Sequence, residues 1–153
     1  MKELPKPNVI VMAEDDADDR LLVKDALNQC EWNADLRFVE NGEELLDYLL
    51  RRGKYAQATN APRPGLILLD LNMPRKDGRE VLREIKANPE LRRIPVVVLT
   101  TSRADTDIEG MYELGANSFI SKPVQFESLV NLMRLLGQYW FNIVALPGNL
   151  LRA

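Results

Sequence analysis

Five short apolar runs punctuate the chain: Val9 to Ala13, Leu36 to Val39, Leu66 to Leu69, Val96 to Leu99, and Phe119 to Ile120. Each predicts a buried strand. Between and after them the apolar residues recur at helical spacing: Leu22, Val23, Ala26, Leu27 and Cys30; Leu45, Leu46, Leu49 and Leu50; Val81, Leu82 and Ile85; Ile108, Met111 and Tyr112; Leu129, Leu132, Met133 and Leu136. Gly53, Asn88-Pro89 and Gly115 predict helix stops, and Asp16 and Asn41 predict helix starts. Continuous apolar strands joined by helices imply a parallel sheet covered on both faces, because each crossover helix packs on one face and hides it. The expected architecture is a doubly wound α/β domain of five strands and five helices. In such a sheet the functional site lies at the carboxyl ends of the strands. Lys54 to Gly65, containing Asn60, Pro62 and Pro64, predicts a surface loop.

A length of 153 residues allows one domain and one core, with no need of a disulfide or metal staple. The formal net charge of -3 gives no basic excess for gripping a phosphate backbone, so nucleic-acid binding is not expected. The chain has one cysteine, Cys30, and no histidine. An internal disulfide, a Cys-rich metal site and any mechanism needing an imidazole are thereby excluded. Only five apolar residues, Val9 to Ala13, precede a block of acids, too few for a signal-peptide core or a membrane span. A cytoplasmic protein is expected.

Polar residues interrupt the pattern where each strand should end. Strand 1 ends in Glu14-Asp15-Asp16, strand 2 in the turn-like Glu40-Asn41-Gly42, strand 3 in Asp70, strand 4 in Thr100 and strand 5 in Ser121-Lys122-Pro123. If strands 1 and 3 are neighbours, Glu14 and Asp15 stand beside Asp70. Carboxylates brought that close repel one another unless a hard cation sits between them, and oxygen-only ligands suit Mg²⁺. The alternative is that the acids cap and charge the start of helix 1, and for Asp16, Asp18 and Asp19 that is the preferred reading. A carboxylate such as Asp70 beside a divalent ion can attack a phosphoryl group and form an acyl phosphate. Lys122 could then hold one phosphate oxygen as a point charge, and the Thr100 hydroxyl could donate to another.

The ordered set Glu14-Asp15-Asp16, Leu69-Asp70-Leu71-Asn72-Met73-Pro74 with Asp77-Gly78, Thr100-Thr101-Ser102, and Lys122-Pro123 resembles the receiver domains of two-component response regulators. The match runs from about Val9 to Leu136. The resemblance implies a flavodoxin-like fold with strand order 2-1-3-4-5. It implies Asp70 as phosphoacceptor and Mg²⁺ held by Asp15, Asp70 and the Asn72 main-chain carbonyl, with Glu14 reaching the ion through water. It makes Thr100 the switch hydroxyl, Phe119 the switch aromatic where tyrosine is frequent, and Lys122 the partner of the phosphoryl group. The Lys122–Pro123 bond is expected to be cis, an isomer that an X-Pro bond tolerates at about 0.5 to 1 kcal/mol. Glu14 replaces the aspartate many receivers carry, and Thr101 stands where a smaller residue is usual. The donor would be a sensor histidine kinase, since the chain has no histidine of its own to phosphorylate.

The expected division is a receiver domain over 1–136 and an apolar extension of helix 5 over 137–153, with no room for a DNA-binding or catalytic output domain. That extension, with the Arg75 to Leu82 run, resembles the small regulators that pair with phytochrome-type histidine kinases. The tail residues Trp140, Phe141, Ile143, Val144, Leu146, Leu150 and Leu151 call for a covering surface. A homodimer through helix 4, strand 5, helix 5 and the tail is expected, a fold-back into a groove of the same domain being the alternative. A rival function is a Mg²⁺-dependent phosphohydrolase of the haloacid-dehalogenase-like type. Those enzymes place a second Asp two residues after the nucleophile, where this chain has Asn72. A degenerate receiver serving as a structural dimer is a further rival, opposed by the intact Asp70, Thr100 and Lys122. An output by binding, without enzymatic turnover beyond its own phosphorylation and dephosphorylation, is the expected function.

Overall fold

The computed structural model describes residues 8–30, 34–57 and 61–147. Strands β1 (Asn8–Ala13), β2 (Ala34–Val39), β3 (Leu66–Leu69), β4 (Val96–Thr100) and β5 (Ser118–Ser121) alternate with helices α1 (Ala17–Asn28), α2 (Gly42–Leu50), α3 (Gly78–Ala87), α4 (Asp105–Glu113) and α5 (Phe126–Gly137). All strand pairs are parallel and the order is β2-β1-β3-β4-β5, as the resemblance implies.

The apolar runs are continuous because alternate residues serve opposite layers. Val11 and Ala13 of β1, Ile67 and Leu69 of β3, and Val96 and Val98 of β4 pack with Leu45, Leu46, Leu49, Val81, Leu82, Ile85 and Met111 of α2, α3 and α4. Ile10, Met12, Leu66, Leu68, Val97 and Leu99 point the other way, onto Val23, Ala26 and Leu27 of α1 and Leu129, Val130, Met133 and Leu136 of α5. Each valine, leucine, isoleucine or methionine among them contributes about 1.5–3 kcal/mol on burial, so both helical layers are clamped to the central strands.

Asp16 and Asn41 cap α1 and α2, their side chains accepting from Asp18 and Asp19 N–H and from Glu44 N–H. Asp77 does the same for α3. Gly115, at φ +106, ends α4 as expected. The end of α2 differs: Arg51, at φ 55, takes the left-handed capping position, and Gly53 beyond it, itself at φ 56, opens a 3₁₀ turn, Gly53–Tyr55. The Lys54 to Gly65 segment is irregular but not wholly superficial. Ala61 and Pro64 are buried, and the Tyr48 hydroxyl donates to the Pro62 carbonyl at 2.7 Å.

One further expectation is corrected. The Lys122–Pro123 bond is trans. The two X-Pro isomers lie so close in energy that the dipeptide alone does not select one. The tail, in turn, folds back in part on its own domain. Gln138–Ile143 continues α5 as a π-helical turn. Trp140 and Phe141 pack against the α1/α5 layer, and Leu146 is buried beside Gly65. Tyr139 and Ile143 stay exposed, while Leu150 and Leu151 lie outside the described residues.

Candidate functional site

Register brings the predicted chemistry together. Ala13 pairs with Leu69, so the residues that follow them, Glu14 and Asp70, leave the sheet side by side. The Asp70 N–H donates to the Ala13 carbonyl at 3.2 Å, and the Glu14 N–H to Val39 at 3.0 Å. One carboxylate oxygen from each of Glu14, Asp15 and Asp70 lies within 4.8 Å of the others. Glu14 and Asp70 are buried and Asp15 is exposed, so the cluster is anchored in the domain and open at its rim. Asn72 is exposed in the loop just beyond β3.

Across the sheet, Thr100 pairs with Ser121, and the Lys122 N–H donates to the Thr100 carbonyl at 2.7 Å. That bond directs the Lys122 side chain back over the strand ends, where its ammonium contacts Glu14 and, at 3.3 Å, Asp19. Thr100 is fully buried, and its Oγ1 has no hydrogen-bond partner among the described residues. An unpaired buried hydroxyl costs about 1–3 kcal/mol, so one held at the rim of an acidic cluster is poised for a ligand oxygen. The next loop is clasped in place: Ser102 Oγ donates to Asp107 at 2.6 Å, Arg79 at the start of α3 grips the same carboxylate, and Ser121 Oγ donates to the Ser102 carbonyl at 3.0 Å.

Phe119 is half-buried against the α2/α3/α4 layer, and its N–H donates to the Tyr112 hydroxyl of α4 at 3.2 Å. A hydroxyl is thus present at this edge of the sheet, supplied by the helix rather than by the aromatic of β5. Pro123 is half-buried and Thr101 exposed.

Burial and the Asp70 charge push Glu14 up to about 7, against the downward pull of Lys122. Burial acts to lower Lys122, but Glu14, Asp70 and Asp19 outweigh it and raise the ammonium above its ordinary value. Glu14, Asp70 and Asp19 thus act together on the Lys122 ammonium, and Asp15 lies beside the first two. The excess negative charge and oxygen-only donors suit a hard divalent cation.

Sequence reasoning placed Asp19 with the capping acids. The structure assigns capping to Asp16 and turns Asp19 into the site. Its position in the first helical turn was the available signal, but acids there are equally explained by the helix dipole. The Arg79–Asp107 contact of the clasp joins residues remote in sequence and had no signal.

A parallel doubly wound sheet, ending in a metal-capable acidic cluster flanked by a buried hydroxyl and a lysine, defines a phosphoryl-handling α/β domain. The response regulator receiver domain family matches residues 10–134. The chain belongs to that family. It is 43% identical to the response regulator Rcp1 of Synechocystis sp. over 93% of this chain and 95% of that one. Among solved structures, the phosphorylated cyanobacterial phytochrome response regulator RcpA superposes with a TM-score of 0.86 at 41% identity, covering 94% of this chain and all of that one. The Mn²⁺-bound form of Rcp1 does so at 0.83 and 42% identity, covering 93% and 100%. The chain is a receiver-domain response regulator. No described helix is long and apolar enough to cross a membrane.

Proposed function

We propose that the chain accepts a phosphoryl group on Asp70 in a Mg²⁺-dependent reaction and signals by altered protein binding. The observation that carries this is the convergence of Glu14, Asp15 and Asp70 within 4.8 Å of one another, beside Lys122. An Asp70 carboxylate oxygen attacks phosphorus, the bond from phosphorus to the donor breaks, and an acyl phosphate forms. When the donor is a phosphohistidine the departing imidazole nitrogen keeps the electron pair and takes up a proton. Asp15, Asp70 and the Asn72 carbonyl would hold the cation, with Glu14 behind a water. Bound there, the ion offsets the carboxylate charge and polarises the phosphoryl oxygens. Lys122 neutralises one phosphoryl oxygen, and Thr100 Oγ1 donates to another, gaining the partner it lacks. Hydrolysis of the acyl phosphate by water returns Asp70 to its carboxylate.

The donor is a sensor histidine kinase of phytochrome type, a reading supported by the likeness to Rcp1 and to the phytochrome response regulator RcpA. Localisation is cytoplasmic, the domain boundary lies near the end of α5, and the chain self-associates as a homodimer through α4, β5, α5 and the exposed part of the tail. The Mn²⁺-bound relative supports a divalent ion here. Incubation with acetyl phosphate and Mg²⁺ tests the reading: intact mass should rise by one phosphoryl group in the native chain and not in Asp70→Asn. Labelling that persists in Asp70→Asn would overturn it.

A further inference from the structure

We propose that Asp19 is a positioning residue for Lys122, parking its ammonium on the α1 side of the site and so limiting how readily that group reaches a phosphoryl group on Asp70. This rests on the phosphoacceptor reading above. Lys122 makes two ion pairs among the described residues, with Glu14 and with Asp19, and none with Asp70. Its side chain is only 11% exposed, so the ammonium has few other places to go.

The two partners are not equivalent. Glu14 belongs to the three-carboxylate cluster, where a divalent cation competes with Lys122 for it, whereas Asp19 lies outside that cluster. With a cation present, Asp19 is the carboxylate left to hold the lysine. Asp19 is also free for the task. Capping of α1 is done by Asp16, which accepts from the Asp18 and Asp19 N–H groups at 2.8 and 3.0 Å and fixes the backbone from which the Asp19 side chain projects.

The strength of the pair fits a contact that breaks in each cycle. Asp19 is 37% exposed, so solvent screens it, and a partly exposed ion pair shifts an equilibrium by about threefold. A buried pair of full strength would hold Lys122 away from the phosphoryl group. Asp18, in the same helical turn, is exposed and makes no ion pair among the described residues, so it carries the same charge without the contact.

The test uses the full chain with acetyl phosphate and Mg²⁺, following the initial rate of phosphoryl incorporation by intact mass. Asp19→Asn should raise that rate about threefold. Asp18→Asn should leave it unchanged, and in a Lys122→Met background Asp19→Asn should have no effect. An equal rise in both Asn variants, or an Asp19 effect that survives without Lys122, would overturn the inference. The ¹⁵N signal of the Lys122 ammonium, identified by its loss in Lys122→Met, gives a readout independent of phosphorylation. It should move in Asp19→Asn and stay put in Asp18→Asn, and an unmoved signal in Asp19→Asn would also overturn the proposal. A native chain that takes up no phosphoryl group, with the ammonium signal moving as described, would sink the phosphoacceptor reading and leave the contact standing.

Discussion

Gly78 stands directly against the main chain of Asp70: a Cβ at position 78 would lie 2.6 Å from the Asp70 carbonyl oxygen and 2.9 Å from Leu71 Cα. The Gly78 N–H donates to the Leu71 carbonyl at 3.0 Å, so the start of α3 and the end of β3 are one packed unit. The missing side chain at 78 is what lets α3 begin beside the proposed nucleophile.

Gly78→Ala should therefore displace Asp70. Forcing a methyl group against backbone costs about 1–3 kcal/mol, and a misplacement of even an ångström at the reacting group can slow the chemistry by about a hundredfold. Gly110→Ala is the matched control, since nothing lies within 4 Å of a Cβ there. It should stabilise α4 by up to about 1 kcal/mol and leave phosphorylation alone. Urea unfolding and acetyl phosphate labelling of both variants check the pair.

Thr100 gives a prediction of opposite sign for stability and response. Its buried Oγ1 has no partner among the described residues, so Thr100→Val should leave the resting fold as stable as before or up to about 1 kcal/mol more so. The same change should abolish the phosphorylation-dependent spectral or chemical-shift response, and Thr100→Ser should keep it. Loss of stability in Thr100→Val would mean that the hydroxyl already has a partner.

The sequence made most of this site legible because strand ends are marked by a change from apolar to polar residues, and parallel register then carries Glu14, Asp70, Thr100 and Lys122 to one edge. What it could not convey are side-chain directions and contacts between distant elements. Asp19 has the same local pattern as a dipole-favoured acid, and only the three-dimensional position of Lys122 separates the two roles. Arg51 caps α2 in a left-handed conformation ahead of Gly53, which is left-handed as well, so the glycine marks the region of the stop but not the residue that makes it. The course of the tail is set by packing, of Trp140 and Phe141 on the α1/α5 layer and of Leu146 beside Gly65.

The pH dependence of the metal-free fold should carry the signature of Glu14. Burial and Asp70 raise this carboxyl from 4.5 to about 7, so between those values the folded chain holds a proton that the unfolded chain releases. The resulting stabilisation is fully present below about pH 4.5 and lost as pH rises through about 7. Metal-free native protein should thus lose stability relative to Glu14→Gln across that window. A divalent ion requires ionised carboxylates, so the rise in melting temperature on adding Mg²⁺ should be larger at about pH 8 than at about pH 6. Thermal melts with and without Mg²⁺ at the two pH values measure both effects. A metal-induced gain that shrinks with rising pH would argue against ion binding at these acids.

The tail separates a folding role from an association role by residue. Leu146 is 5% exposed, and its Cδ1 would lie 3.3 Å from a Cβ on Gly65, with Phe141 Cε1 at 3.5 Å. Truncating such a leucine leaves a cavity, so Leu146→Ala should destabilise the domain by about 2–4 kcal/mol whatever the oligomeric state. Ile143 is 72% exposed, and Leu135 at 55% and Tyr139 at 50% are exposed at helical spacing before it on α5 and its continuation. Covering a few such side chains is worth several kcal/mol at about 25 cal/mol per Å², enough to offset part of the entropy lost on association. Ile143→Asp should accordingly weaken the proposed homodimer by at least about tenfold in Kd while changing monomer stability little. Light scattering and thermal melts on the two variants decide the matter. A dimer unaffected by Ile143→Asp would move the interface off the tail, and a Leu146→Ala chain as stable as the native one would show that Leu146 does not fasten the tail to the domain.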